Sequence, residues 1–129
     1  MDGLHMVTNA SRQSFDKGAL DCLRLGSEAA SIQSAEENEW LSDLVRIVKW
    51  APNLQHQGEF YIGLKYNGSS WQWSDGSHLT FENWHSGEPN ELKTEQCVEV
   101  RAHNGDLNGS WNNVPCSAAL YIVCQTQPE

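Results

Sequence analysis

Two stretches in the first half of the chain carry the hydrophobic spacing of amphipathic helices. The first predicts a helix over 15–25, with Ser14 as its N-cap and Gly26 at the C′ position, where a left-handed residue ends many helices. This helix should direct a cysteine towards the core, because its apolar face contains Phe15, Ala19, Cys22 and Leu23.

The second helix is predicted to begin at a capping box, in which Ser34 and Glu37 bind backbone groups of the first turn. Apolar residues then recur every three or four positions, which is the spacing of one helix face. Such a face normally packs against the core, and its predicted members are Trp40, Leu41, Leu44, Val45 and Val48.

After Pro52 the pattern changes to short strands. The apolar run 60–64 is typical of a buried strand, and residues 71–74 alternate as a half-buried one. Turns are predicted beside them at Asn67-Gly68 and Asp75-Gly76. Further strands are predicted over 4–8, 97–100 and 121–124.

Between Ser74 and Glu95 no hydrophobic period is sustained. A long irregular segment inside a compact domain is uncommon and is usually functional. We therefore expect the functional site between residues 74 and 113.

Composition narrows the class of protein. The 129 residues favour a single domain over 1–129, and the hydrophobic content of 39% is typical of a globular chain. No apolar run reaches the roughly 18 residues that span a bilayer, so no membrane insertion is expected. Seventeen acidic residues against eight basic ones give a net charge of −9, which argues against nucleic acid as a partner.

The four cysteines indicate an oxidising compartment. None belongs to the C-x-x-C pair that zinc ribbons and thiol redox centres use, so two disulfides are favoured over a metal site or free thiols. All pairings of the four remain open at this point. Sequons at Asn9, Asn67 and Asn108 agree with secretion. The N-terminal residues lack signal-peptide features, so we expect the signal peptide to be absent from this sequence.

Oxygen-bearing side chains collect in the irregular segment. Ca²⁺ takes about six to eight oxygen ligands, although Asn and Glu in an acidic loop are also typical of solvated surface. An EF-hand loop beginning at Asp106 is excluded, because Trp111 stands where glycine is needed and Ser117 where the last glutamate is needed. The candidate ligands are Glu88, Asn90, Glu95, Asn112 and Asn113.

Taken in order, the motifs resemble those of a C-type lectin domain over nearly the whole chain. The run Tyr61-Ile62-Gly63-Leu64 is similar to the family's Trp-Ile-Gly-Leu strand, with tyrosine in place of tryptophan. The other matching segments are 19–22, 30–34, 73–76, 81–84, 88–90, 95–97 and 111–116.

The resemblance implies an α+β fold, in which two helices flank small antiparallel sheets and a long loop region binds calcium. It also implies two disulfides, Cys22–Cys124 and Cys97–Cys116. The implied partners are mannose-type glycans, bound outside the cell without catalysis.

The resemblance further implies a mechanism of binding. Glu-Pro-Asn at 88–90 is similar to the family's mannose-type motif, which binds mannose, fucose and N-acetylglucosamine, whereas Gln-Pro-Asp would suggest galactose. Vicinal sugar hydroxyls would complete the calcium shell, donate to the carboxylates and accept from the amides. Pro89 is expected to be cis, and Leu92 either packs on the sugar ring or anchors the loop.

Two positions depart from the family pattern. Asn113 replaces an aspartate, so we expect calcium to bind more weakly than at a site with three carboxylates. Tyr66 stands where an accessory calcium site often has aspartate, so one functional calcium ion is expected. Asn113 also keeps an alternative open, in which the domain binds protein, lipid or ice without sugar coordination.

No enzyme activity is expected. Glu88 and Glu95 are a candidate glycosidase pair, but calcium coordination would occupy both carboxylates. Since a shallow sugar site binds weakly, a homo-oligomer or clustered ligands would be needed for avidity. Surface or structural roles are assigned to His5, His56, His78, His85 and His103, and packing roles to Trp71, Trp73, Trp84 and Trp111.

Overall fold

The fold is described from a computed structural model, over residues 5–7, 12–48, 59–101 and 109–126, with backbone only for 5–7 and 45–48. The sequons at Asn9 and Asn108 and the histidines at 56 and 103 lie outside these ranges. Within them the elements are β1 (His5–Val7), α1 (Phe15–Arg24), β2 (Ser27–Ala29), α2 (Ala35–Val48), β3 (Glu59–Tyr66), β4 (Trp71–Trp73), β5 (Cys97–Arg101), β6 (Ser110–Val114) and β7 (Tyr121–Thr126).

The helix α1 ends close to its predicted boundary. Leu25 is the C-cap and Gly26 follows with φ of +74°, which confirms the left-handed C′ residue. At the other end Ser14 is the N-cap, but its side chain makes no capping hydrogen bond. Its carbonyl instead accepts from the backbone N–H of Gly18 at 3.0 Å.

The buried face of α1 is narrower than predicted. Phe15, Gly18 and Cys22 are buried, whereas Leu23 is 63% exposed. Placing Leu23 on the core face was therefore wrong. It lies about 100° around the helix from Cys22, and the stripe that packs on the sheet uses the small Gly18 instead of a third large residue.

The start of α2 confirms half of the capping box as written. The Ser34 hydroxyl accepts from the backbone N–H of Glu37 at 3.1 Å. The Glu37 carboxylate reaches one residue further than expected and accepts from the N–H of Gln33 at 2.6 Å.

The buried face of α2 is partly polar. Leu41 is fully buried as predicted, but Trp40 is 47% exposed, so its assignment to the core was wrong. Asn38 and Ser42 occupy the buried positions beside Leu41 instead. Hydrogen bonds offset the cost of burying these polar side chains. Asn38 donates to the carbonyl of Gly109 at 3.1 Å, and Ser42 donates to the carbonyl of Asn38 at 2.7 Å.

The strands form a mixed sheet in the order β1-β7-β3-β5-β6, with β2 paired to β7 and β4 paired to β3. The pairing of β3 with β7 is parallel, through Phe60 with Tyr121 and Tyr61 with Ile122, whereas the other pairs are antiparallel. The resemblance implied antiparallel sheets, and the structure differs from this in the parallel pairing of β3 with β7.

Two disulfides and two buried clusters hold the sheet to the helices. Cys22–Cys124 joins α1 to β7, and Cys97–Cys116 joins β5 to the turn before β7, which confirms both implied pairs. The main core lies between the sheet, α2 and the long segment before β5, and its largest buried members are Trp73, Trp111, Phe60, Ile32, Leu41, Ile62 and Leu64.

Gly63 is a close approach of β3 to the chain that follows β2. Its N–H donates to the carbonyl of Ala30 at 2.7 Å, and a Cβ here would lie 2.9 Å from the carbonyl oxygens of Ala29 and Ala30. Gly63→Ala should therefore lower the free energy of unfolding by about 1–3 kcal/mol, as overpacking does. Urea unfolding with the disulfides intact measures this, and an unchanged midpoint would show that the backbone yields without cost.

Candidate functional site

The long segment between β4 and β5 is anchored where it leaves the sheet. Asp75 accepts hydrogen bonds from the Ser31 hydroxyl at 2.9 Å, from Gln125 at 3.4 Å and from both the N–H and the hydroxyl of Ser77. Burial raises the pKa of Asp75, but these hydrogen bonds outweigh it and hold the pKa below its usual value. The anchor therefore contributes stability at neutral pH that is lost as the pH falls through the lowered pKa.

A second anchor fixes the middle of the segment against β6. Trp84 forms a parallel bridge with Trp111. The N–H of His85 donates to the carbonyl of Trp111 at 2.8 Å, and the N–H of Trp111 donates to that of Asn83 at 2.8 Å. The N–H of Glu88 then donates to the carbonyl of His85 at 2.9 Å, so the Glu-Pro-Asn motif begins directly beside β6.

Three predicted site residues meet at one point. The Glu88-Pro89 peptide bond is cis, as the resemblance implied. One terminal atom of the Asn90 carboxamide lies 2.9 Å from Glu95 Oε1 and 3.1 Å from Glu88 Oε1. Hydrogen bonding assigns that atom as Nδ2, which donates to both carboxylates.

This arrangement fits a hard cation. Rotating the Asn90 carboxamide by half a turn would put Oδ1 at the same place, so that three oxygens from Glu88, Asn90 and Glu95 would face one another. Facing oxygens repel unless a cation lies between them, and an all-oxygen donor set is what Ca²⁺ prefers. The two carboxylates would also balance its charge.

Asn113 ties the segment together from beneath. The residue is 1% exposed, and its side chain contacts backbone rather than side-chain atoms. Its Oδ1 accepts from the N–H of Asn90 at 3.1 Å, and its Nδ2 donates to the carbonyls of Asn90 and Glu95, the latter at 2.8 Å. Asn113 thus joins both ends of the stretch 90–95.

Asn112 points its amide to a different partner. Its Nδ2 donates to Glu99 Oε2 at 2.9 Å, across the β5–β6 pair in which the two residues are directly opposite. Glu99 is 5% exposed, and after burial its negative charge is the next cause that raises the pKa of Tyr61. No hydrogen bond joins Asn112 to Glu88, Asn90 or Glu95 in the described residues.

Glu99 was not predicted to lie near the site, because its sequence position is that of an ordinary strand residue in the run 97–100. The signal that could have found it is the register of β5 against β6. Once Cys97 is set opposite Val114, Glu99 falls opposite Asn112.

Leu92 lies in a tight turn between the two carboxylates. Glu91 adopts a φ of +48°, and its carbonyl accepts from the N–H groups of Thr94 and Glu95. Leu92 is half-buried, and its carbonyl accepts from the side chain of Gln96 at 3.1 Å. This turn carries Glu95 back towards Asn90.

The position of the accessory site is aromatic. The Tyr66 ring lies 5.2 Å from that of Trp71, which in turn lies 5.1 Å from Trp84. Trp73 and Trp111 are buried, and Trp71 and Trp84 are partly buried against the same core, so the packing roles assigned to these four tryptophans are confirmed.

The sequence matches a model of the Lectin C-type domain over residues 11–126. The chain belongs to the C-type lectin domain family. This family is a carbohydrate-binding one and is not enzymatic, which confirms the expectation that this domain has no catalytic role. The extension of a single lectin domain over all of 1–129 stays a prediction.

Relatives place the lectin domain within larger and differently acting proteins. It is 31% identical over 120 residues to human C-type mannose receptor 2, which is 90% of this chain but only 7% of the receptor. The C-type lectin domain of murine dendritic cell inhibitory receptor 2, solved in complex with an N-glycan, is 27% identical, with a TM-score of 0.78 and coverage of 98% and 91%. A calcium-independent type II antifreeze protein, 21% identical, shares the fold with a TM-score of 0.77 and coverage of 97% and 86%.

Two features are absent from the part of the lectin domain that the structure describes. No helix there is long and apolar enough to cross a membrane. No three His, Cys, Asp or Glu residues there gather as a metal site.

Proposed function

We propose that this domain binds mannose-type sugars with the help of one Ca²⁺ ion. The observation that carries the proposal is the convergence of Glu88, Asn90 and Glu95 within hydrogen-bonding distance of one another. The proposed calcium ligands are Glu88, Asn90, Glu95, Asn112 and Asn113.

The charges and lone pairs of these residues suit that role. Glu88 and Glu95 supply the two negative charges, and the carboxamide of Asn90 needs only to turn in place to offer Oδ1. An amide oxygen has two lone pairs, so Oδ1 of Asn113 keeps one after accepting from Asn90. Tyr66 offers no carboxylate for an accessory ion, which supports one functional ion.

The chain's own groups would orient the sugar. A bound Ca²⁺ would supply the open coordination positions that two vicinal hydroxyls occupy. Glu88 and Glu95 can accept hydrogen bonds from those hydroxyls, and the amides of Asn90 and Asn112 can donate to them. Leu92, in the turn between the carboxylates, would contact the sugar ring. Mannose, fucose and N-acetylglucosamine are the proposed sugars.

A single site of this kind is shallow and binds weakly. We therefore propose that useful affinity comes from several sites acting together, through a homo-oligomer or through clustered glycans. The two disulfides support a secreted or extracellular location.

Retention on immobilised sugars tests the proposal. With calcium present, the protein should stay on a mannose resin, pass through a galactose resin, and leave the mannose resin when a chelator is added. The matched comparison is the same column run with magnesium, whose preference for a rigid octahedral shell suits this flexible oxygen set poorly. Passage through the mannose resin in calcium would contradict the proposal.

A second candidate function rests on Asn113. Its amide holds the stretch 90–95 through hydrogen bonds to backbone groups, an anchor made of protein atoms alone. A lectin-like domain that binds protein, lipid or ice without calcium would have the same property. Retention on neither sugar resin, together with a folded protein, would favour this candidate.

A further inference from the structure

The side chain of Asn113 uses nearly all its hydrogen-bonding capacity on backbone groups of the loop 88–96. A carboxamide has two N–H donors and one carbonyl oxygen. Both donors bind backbone carbonyls, those of Asn90 and Glu95, and the oxygen accepts from the N–H of Asn90. Asn113 therefore pairs with both polar groups of Asn90 and bridges to Glu95.

Burial gives these bonds weight. Asn113 is 1% exposed, so water cannot replace a partner that is lost. The residue itself is fixed, because it lies in β6 directly opposite Val98 of β5. The loop is thus hydrogen-bonded to β6, the strand that ends the order of the sheet and pairs with β5.

An aspartate at the same position would act in the opposite way without a metal. It could accept from the N–H of Asn90, but it has no hydrogen to give to the carbonyls of Asn90 and Glu95. Three oxygens would then face one another in a buried place, which is unfavourable unless a cation is present. Asparagine and aspartate therefore differ here in the metal-free protein, and not only in the charge they offer to calcium.

We propose that Asn113 is a positioning residue that keeps the loop 88–96 in its binding shape when calcium is absent. Calcium then binds a loop that is already ordered and loses little conformational entropy on binding. This inference rests on the proposed function, since it concerns the same cation site, and it implies that calcium and sugar can leave without collapse of the loop.

Hydrogen exchange in a chelator tests the inference without any sugar. The informative amides are that of Asn90, which donates to Asn113 Oδ1, and those of Thr94 and Glu95, which donate to the carbonyl of Glu91. In the wild-type protein they should be protected in the chelator and change by less than about threefold when calcium is added, since the loop is already formed. In Asn113→Asp they should exchange at least about tenfold faster in the chelator, because two buried hydrogen bonds are lost.

Asn67→Asp is the matched control. Asn67 is exposed, and its Oδ1 accepts from Ser69 and Ser70, so a carboxylate keeps every bond that the structure gives this oxygen. Its loop amides should exchange as in the wild type. The N–H of Gly63 in the core reports whether Asn113→Asp is still folded, and the loop amides of this variant are compared with the wild type when the Gly63 amide stays protected.

The calcium arm separates the two proposals. If calcium restores protection in Asn113→Asp, both the positioning role and the cation site are supported. If the loop amides of Asn113→Asp exchange fast and calcium does not restore their protection, the positioning role is supported and the cation site is contradicted. Wild-type amides that are unprotected in the chelator, or equal protection in wild type and Asn113→Asp, would overturn the inference. If the core amide of Gly63 also loses protection, Asn113→Ser in the same assay decides, because a short hydroxyl that leaves the loop amides protected would contradict the positioning role.

Discussion

Replacing both Glu88 and Glu95 with Gln should abolish calcium-dependent sugar binding and leave the fold intact. Each substitution removes one of the two negative charges proposed to hold the ion, and calcium affinity follows the charge count of its ligands. Either single variant should lose at least about tenfold in calcium affinity, equivalent to about 1.4 kcal/mol.

The double variant should fold because glutamine keeps an oxygen at each position. The Asn90 carboxamide, which lies 3.1 and 2.9 Å from the two carboxylates, can still donate to those oxygens. The backbone contacts of Asn113 to Asn90 and Glu95 do not involve either side chain. Thermal unfolding in a chelator should therefore match that of the wild type.

Glu91→Gln is the matched control for charge. Glu91 lies in the same loop, is exposed, and contributes only its backbone carbonyl to the turn that carries Glu95. Its variant should bind calcium within about twofold of the wild type, because an exposed charge is screened by solvent. Calorimetric titration with calcium measures the four variants and the wild type. Calcium binding that survives in the double variant would place the ion elsewhere.

Removing the Trp111 side chain should cost about 3–5 kcal/mol of the free energy of unfolding, the range for a buried aromatic cut to alanine. Trp111 is fully buried, and its ring makes edge contacts with Trp73, Phe81 and Trp84 at centroid distances of 5.6–5.8 Å. Its Nε1 also donates to Asn38 Oδ1 at 2.7 Å, so the substitution would take that partner away from a buried acceptor on α2.

The comparison with Trp40→Ala makes this prediction specific. Trp40 is 47% exposed on α2, so its loss should cost about 1 kcal/mol or less. Urea unfolding in a chelator, with the disulfides intact, gives both values. Equal losses for Trp40→Ala and Trp111→Ala would contradict the placement of Trp111 at the centre of the core.

The helices and most strands could be predicted from local pattern, and the errors have a common physical cause. Leu23 and Trp40 were assigned to buried faces because apolar spacing cannot see tertiary partners. The residues that occupy the buried positions are Gly18, which fits close to Ile122, and Asn38, whose polar groups bind Gly109 and Trp111. A polar residue that finds its partners in another element looks like a surface residue in the sequence.

The strand β6 was missed for the same reason. Its sequence Ser-Trp-Asn-Asn-Val does not alternate between apolar and polar residues. Asn113 is nevertheless buried, because backbone groups of Asn90 and Glu95 hydrogen-bond its carboxamide. Glu88, Asn90 and Glu95 could be named from their motif, and the structure brings them together. The contact of Glu99 with Asn112 could not be predicted from the sequence, because it depends on the register between two strands and not on a short motif.

A crystal grown with calcium and methyl α-mannoside tests the central claim most directly. We expect one ion between Glu88, Asn90 and Glu95, with oxygen ligands at about 2.3–2.6 Å and two neighbouring sugar hydroxyls among them. Sugar bound away from this point, or sugar bound with no ion beside Asn90, would contradict the claim.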